Sequence, residues 1–218
     1  MENEVIRFGT QLAKYRIDEN LMNELLEVGK KQTNSYNKML VGRIEEEYGF
    51  SNEDKNYFNP KILPFLKDYV KKYVAPNAPD IDFSIMIDDY WINLQVAGEF
   101  NPPHIHVGHL SFVIYVQIPD EINKETKAVG SPPGSISFTY MEYPKIRGLV
   151  EPDNVSSKIE EAVLPKFFHI HKPQAGELLI FPSFMNHFVE SFETKGVERI
   201  SIAGNAFING KYKVKQLL

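Results

Sequence analysis

Beyond residue 82 the apolar residues of this chain repeat with a period of two. FSIMI (83–87), WINLQVA (91–97), LSFVIYVQI (110–118), SISFTYM (135–141), ELLIF (177–181), HFVESF (187–192) and RISIAGNAF (199–207) are short runs rich in β-branched and aromatic residues, separated by Gly, Pro, Asn and Lys clusters. Strands at this spacing predict an all-β sandwich or barrel. Asn209-Gly210, between RISIAGNAFI and KYKVKQL, is a strong signal for a two-residue hairpin, and we expect a turn there.

The first third reads differently. Asp18 is a candidate N-cap, followed by Leu21, Met22, Leu25 and Leu26 at helical spacing. Met39, Leu40, Ile44 and Tyr48 predict a second helix ending before Gly49, and Pro60 to Tyr73 a third, with Pro60 in its first turn. Val5 to Ile17 is expected to form short strands. APNAPDI (75–81) has no periodic face and marks a boundary. The expected organisation is a helical region, 1–80, packed on a double-stranded β-helix (jelly-roll, cupin-like) core, 81–218. A chain of 218 residues suits one such compact α+β unit.

Composition removes several function classes. The net charge of -5 is dispersed and the Lys-rich spots are broken by acids, which argues against a nucleic-acid groove. Without cysteine there is no disulfide, thiolate metal site or Cys nucleophile, so any metal must use His, Asp, Glu or water. The N-terminus lacks a secretory signal and no run reaches the roughly 18 apolar residues of a membrane span, so a cytoplasmic protein is expected. Nucleophile-elbow, P-loop and dinucleotide fingerprints are missing too.

Three of the six histidines fall within GEFNPPHIHVGHL, 98–110. His104 and His106 alternate as strand residues do, so both imidazoles project to one side and can bind one ion. A third candidate closes GELLIFPSFMNHF, 176–188, where an apolar strand turns at Pro182 and His187 opens the next strand at the mouth of a barrel. His109 is the rival of His106: if His106 turned outward, His109 would close the triad with His104 and His187, its direction hidden by Gly108. His169 and His171 form a second same-face pair with a structural or substrate-facing reading. Arg199 and Ser201 alternate along one strand, and a planar guanidinium fork suits a buried carboxylate.

Gly98 and His104, with Gly176, Pro182 and His187, resemble the paired motifs of the cupin superfamily. Leu110 and Ser111 stand where its glutamate is expected, and Phe184 replaces a glycine. Taken in order, W-x-N, NPPHIH, LSFVIYVQIP, GELLIFPSFMNH and ERIS resemble a family that shares the fold, the 2-oxoglutarate- and Fe(II)-dependent oxygenases of bacteria and tailed phages, especially cyanophages. That resemblance implies iron on His104, His106 and His187 at the mouth of a jelly roll. It further implies 2-oxoglutarate gripped by Arg199 and Ser201, with Asn93 and Tyr115 as additional partners or as core residues with satisfied polar tips. The activity implied is hydroxylation of a peptide or small-molecule substrate with release of succinate and CO2.

Most such oxygenases carry Asp or Glu two residues after the first His. His106 instead leaves the site one charge more positive, a donor set that also suits zinc or nickel. A cupin-like dioxygenase without 2-oxoglutarate and a non-catalytic metal-binding phage accessory protein are the competing readings. Asn123 to Pro133 and Pro144 to Lys166 are expected to be loops that form a lid or substrate edge or, more simply, ordinary surface connections.

Overall fold

The computed structural model describes residues 10–36, 41–125, 131–140 and 168–213. Its elements in chain order are β1 (Ala13–Arg16), α1 (Glu19–Gly29), β2 (Asn34–Ser35), β3 (Glu47–Gly49), α2 (Asn52–Tyr69), β4 (Ile81–Gln95), β5 (Asn101–His104) and β6 (Leu110–Gln117). Then follow α3 (Asp120–Lys124), β7 (Ile136–Thr139), β8 (Phe168–His171), β9 (Glu177–Pro182), β10 (Asn186–Val189) and β11 (Arg199–Tyr212). The strands form a seven-stranded sheet, β1-β9-β6-β11-β4-β3-β2, and a four-stranded sheet, β5-β10-β7-β8. Every strand pair among the described residues is antiparallel.

The large sheet is buried on both faces, which is why LSFVIYVQ and ELLIF read as nearly unbroken apolar runs. Its outer face presents Ile92, Phe112, Ile114, Leu178, Ile180 and Ile202 to Leu25 of α1 and to Phe58, Ile62 and Leu66 of α2. Its inner face sends Val113, Tyr115, Leu179 and Phe181 against Ile136 and Phe138 of the small sheet. Two cores on one sheet follow directly from side chains that alternate with a period of two.

The helix expected after Asp18 is α1: the Asp18 side chain accepts the Leu21 N–H at 2.9 Å, a cap worth about 1 kcal/mol. The third expected helix starts earlier than the sequence suggested. Ser51 caps α2, accepting from the Asp54 N–H at 3.1 Å, so Pro60 and Pro64 lie inside the helix rather than at its start. Both prolines sit on its exposed side. There the carbonyls that lose their i+4 donor can bond water, while Phe58, Ile62, Leu66 and Tyr69 keep the buried stripe intact.

Two further expectations are corrected. The helix over Met39 to Tyr48 does not form within its described part, because Glu47–Gly49 is strand β3, paired to β4 with Tyr48 opposite Ile92; residues 39 and 40 lie outside the described residues. Asn209-Gly210 is not a turn. β11 runs through it to Tyr212, Asn209 facing Ser84 and Gly210 facing Phe83 on β4. A partner strand extending back to Ile81 takes up these backbone groups, and inter-strand pairing overrides the local turn preference.

The strand expected within Val5 to Ile17 is β1, of which residues 5–9 lie outside the described set. It pairs with β9, and β2 and β3 also join the large sheet. The N-terminal third therefore supplies strands as well as helices. After α2 the chain widens into one π-helical turn, Val70–Val74, then tightens into a 3-10 turn over Ala75–Asn77 before it enters β4. Among the described residues no helix is long and apolar enough to cross a membrane.

Candidate metal and cosubstrate site

β5 and β10 bring together residues 83 positions apart. His104 and His187 are register partners across these strands, their ring centroids 4.3 Å apart, and His106 completes a triangle at 4.8 and 5.0 Å from them. One ligand atom from each imidazole falls within 4.8 Å of the others. His104 Nδ1 bonds the Pro102 carbonyl at 2.7 Å and His187 Nδ1 the Met185 carbonyl at 2.9 Å. With Nδ1–H donating outward, each Nε2 lone pair is directed inward, the arrangement in which outer carbonyls orient metal-binding imidazoles. Burial keeps the rings neutral, pushing His106 down to about 4 and His187 to about 3, with His104 also lowered.

His109, the rival ligand, turns away. Its Nδ1 accepts the Ile208 N–H at 2.9 Å and its ring meets Phe207 edge-on. His171 bonds Glu177 Oε2 at 2.8 Å through Nε2, and His169 stacks toward Phe138. Neither belongs to the convergent group.

A cavity of about 350 Å³ opens beside the three imidazoles, and Arg199 and Tyr115 line its far wall. Arg199 is 2% exposed. Its Nε donates to the Gly134 carbonyl at 2.9 Å, its Nη1 to Gln95 Oε1 at 3.2 Å, and its guanidinium lies 5.1 Å from the centre of the Tyr115 ring. No carboxylate among the described residues forms an ion pair with it. Burial lowers its pKa, opposed by Tyr115.

Tyr115 Oη lies close enough to Arg199 for each group to act on the other's ionisation, yet it has no hydrogen bond of acceptable geometry. Ser135 Oγ, one residue after the Gly134 that accepts from Arg199, is likewise buried without a partner among the described residues. Orphaned polar atoms around an unpaired buried cation are the complement of a carboxylate ligand. Gly134 makes the approach feasible. Its φ is +65°, and a Cβ there would stand 3.4 Å from Arg199 Cδ and 3.2 Å from Ile122 Cγ2.

Ser201 lies between the two groups on the cavity wall, opposite both Asn93 and Tyr115 in register. Asn93 accepts from the Trp91 indole at 3.1 Å and donates to the Ser201 carbonyl at 3.4 Å. Both ends of its amide are thus engaged within the protein, and its immediate effect is to hold Trp91 beside the His106 ring, 5.7 Å away.

Residues 89–205, more than half of the sequence, match the model of a family described as "Putative 2OG-Fe(II) oxygenase". The chain belongs to this 2OG-Fe(II) oxygenase family. Its members use Fe(II) and 2-oxoglutarate, and these are the cofactors of this oxygenase. The buried Arg199 and its orphaned neighbours fit the carboxylate of one, and the three convergent imidazoles fit the other. No curated protein matches the sequence.

Solved structures agree on the fold. The oxygenase is similar to a 2OG-Fe(II) oxygenase family oxidoreductase from Burkholderia pseudomallei, with a TM-score of 0.54 and 11% identity over 90% of this chain and 84% of that one. It also resembles a prolyl hydroxylase from Trichoplax adhaerens in complex with a hypoxia inducible factor peptide (0.52, 11% identity, 90% and 83% coverage). A third likeness is to the viral collagen prolyl hydroxylase of Paramecium Bursaria Chlorella virus-1 in its 2-oxoglutarate complex (0.50, 12%, 89% and 94%).

Several residues that hold Arg199 or line the cavity escape a reading of motifs. Gln95 continues the alternation of Trp91 and Asn93, so extending W-x-N by two positions finds it. Gly134 and Ser135 carry no such signal, because a loop's approach to Arg199 is a tertiary event. Glu47, on the cavity wall and 1% exposed, was hidden by the helical pattern read over its segment. Of the loops expected to form a substrate edge, 126–130 and all of 144–166 lie outside the described residues, and the first begins within α3, whose last residues are Asn123 and Lys124. Glu125, at the start of the first, accepts the Glu193 and Thr194 N–H groups.

Proposed function

We propose that His104, His106 and His187 hold Fe(II) and that Arg199, with Ser201 and Tyr115, holds the distal carboxylate of 2-oxoglutarate, in an enzyme that hydroxylates its substrate. Asn93 positions the wall between them through Trp91. The observation that carries this reading is one cavity with three neutral, convergent imidazoles, two of them held by backbone carbonyls, on one side and on the other a fully buried guanidinium that has no acid partner among the described residues.

When bound, iron and 2-oxoglutarate supply the oxidising chemistry, converting the cosubstrate and O2 to succinate and CO2 with transfer of one oxygen atom to the substrate. The protein's part is to bind, orient and exclude. The Pro102 and Met185 carbonyls hold two imidazoles in their ligating tautomer. Gln95 and the Gly134 carbonyl fix the guanidinium fork so that its free donors meet a carboxylate without reorganisation. Phe181 and Phe138 pack against His187 and keep that side of the cavity dry. Three imidazoles would hold the ion and leave it open to further ligands from solution.

An anaerobic titration tests this. Metal-free protein is loaded with Fe(II), then with 2-oxoglutarate, and the visible charge-transfer band of the chelate is followed in wild type and Arg199→Ala. The band should appear in wild type and require far more 2-oxoglutarate in the variant. Iron binding without the band favours a dioxygenase that uses no 2-oxoglutarate. No iron binding overturns the metal assignment.

A further inference from the structure

The end of the cavity remote from Arg199 has the opposite electrostatic character. Glu47, Asn93, Ser201 and Tyr115 are successive register partners across β3, β4, β11 and β6. Glu47 and the Tyr115–Arg199 group therefore stand about 14 Å apart, three inter-strand spacings. Glu47 is 1% exposed, and its Oε1 has no hydrogen-bond partner. Asn101 Oδ1, on the same cavity wall, is also buried and unpartnered. Among the described residues the charge that acts on Glu47 is that of Glu99, another acid.

A bulge in β4 sharpens this end. Asn205 pairs with Asp89 but Ala206 with Ile87, so Asp88 is an extra residue, and both Asp88 and Asp89 line the cavity where regular alternation would send one away. Asp89 is already engaged by Lys55 at 3.1 Å and by the Tyr36 hydroxyl. Asp88 has no partner among the described residues and is exposed at the rim. Tyr36 stacks on Trp91 at 5.5 Å and adds aromatic surface to the same end.

A carboxylate buried with an orphaned oxygen weakens the fold that carries it unless a donor arrives. Hydroxyl donors would satisfy hydrogen bonding but leave the charge unmatched. A cation satisfies both, and aromatic faces beside it add to the attraction. Glu47 also lies outside the three-histidine group whose ligand atoms converge, so the resident metal does not account for it.

We propose that the primary substrate carries an ammonium or guanidinium group that docks on Glu47, with Asp88 at the rim and the Asn101 amide alongside. This rests on the reading of the cavity as the oxygenase site. Opposite charges at the two ends then sort the ligands: the anionic cosubstrate is drawn to Arg199 and repelled by Glu47, and the cationic group behaves in the reverse way.

Trp91 is the protein's one tryptophan and reports on this end directly. The full-length protein, loaded with Co(II), is titrated with n-butylguanidinium and n-butylammonium, against 1-pentanol and pentanoate as neutral and anionic controls, following Trp91 fluorescence. At least one cation should bind about tenfold or more tighter than 1-pentanol. Glu47→Gln should abolish that preference, and Asp88→Asn, whose exposed site puts no fold at risk, should weaken cation binding by about twofold or more. The inference is overturned if cations and alcohol bind alike, if no probe binds up to about 50 mM, a free energy of only ~1.8 kcal/mol, or if the preference survives in both variants. Titration of 2-oxoglutarate in the same samples, with Arg199→Ala as control, separates the two readings. Arg199-dependent 2-oxoglutarate binding without a cation preference overturns this inference alone, whereas loss of 2-oxoglutarate binding overturns the oxygenase site and leaves the cation result to be judged independently.

Discussion

His104 and His187 face each other across β5 and β10, and each is locked in the same way: Nδ1 bonds the backbone carbonyl two residues earlier, Pro102 for one and Met185 for the other. Two strands that lie far apart in sequence thus present matched Nε2 atoms to one point. Such a lock removes the freedom of both rings before any metal arrives, so little order has to be imposed when it does.

The first expectation concerns this pair. His104→Ala or His187→Ala should lower Co(II) or Fe(II) affinity by about 100-fold or more, since a three-residue site loses a ligand and its geometry together. His109→Ala should leave affinity within about twofold, because that ring accepts the Ile208 N–H of β11 and stands outside the convergent group. Calorimetric titration of the metal-free variants distinguishes the two, and equal losses at His104 and His109 would refute the assignment.

Arg199→Lys keeps the charge but loses the fork. Hydrogen bonds to charged groups contribute about 1.5–3 kcal/mol each, so 2-oxoglutarate affinity should fall about 10- to 100-fold in Arg199→Lys and further in Arg199→Ala. Gly134→Ala should weaken 2-oxoglutarate as well, by pressing a Cβ toward Arg199 Cδ from a backbone with φ of +65°. Unchanged 2-oxoglutarate affinity in Arg199→Lys would show that charge alone suffices there.

Glu47 sets a pH dependence on the ligand-free protein. Burial first, and Glu99 second, push its carboxyl up to about 7. An acid whose folded pKa lies above its unfolded value holds its proton longer in the native state. Stability is therefore lost as pH rises from about 4.5 to 7 and stays low above that, by up to about 3 kcal/mol. Glu47→Gln should accordingly raise Tm relative to wild type at pH 8, with the difference shrinking toward zero near pH 4.5. Thermal melts of both proteins across that range check this, and a constant difference would mean that Glu47 is neutralised by a partner.

Gly210 tests whether the strand or the turn preference governs the C-terminal ribbon. It pairs with Phe83 in β11 without a left-handed φ, and the nearest obstacle to a Cβ is the movable Ile81 side chain. Gly210→Ala should be neutral or stabilise by up to about 1 kcal/mol, the cost of glycine within a strand. In a tight hairpin the same change would destabilise by a similar amount, so the sign of the Tm shift decides.

The sequence by itself determined whatever depends on neighbours a few residues away. It carried the period of two that makes strands, the Asp18 cap that starts α1, the common face of His104 and His106, and the alternation that sends Arg199 and Ser201 to one side. Its motif order also carried the family. Local preference failed where pairing partners decided. Asn209-Gly210 became strand because β4 reaches back to Ile81, and Glu47 became strand because β3 found an open edge of β4.

Only the tertiary structure made His106 rather than His109 converge with His104 and His187, by turning His109 onto the Ile208 N–H, and only it brought Gly134 and Gln95 to Arg199 or turned Glu47 into the cavity. The physical reason is that alternation fixes a side chain's face within its own strand, whereas which strand lies opposite is set by burying both faces of the large sheet at once. That requirement joins residues about 100 positions apart, and no local pattern encodes it.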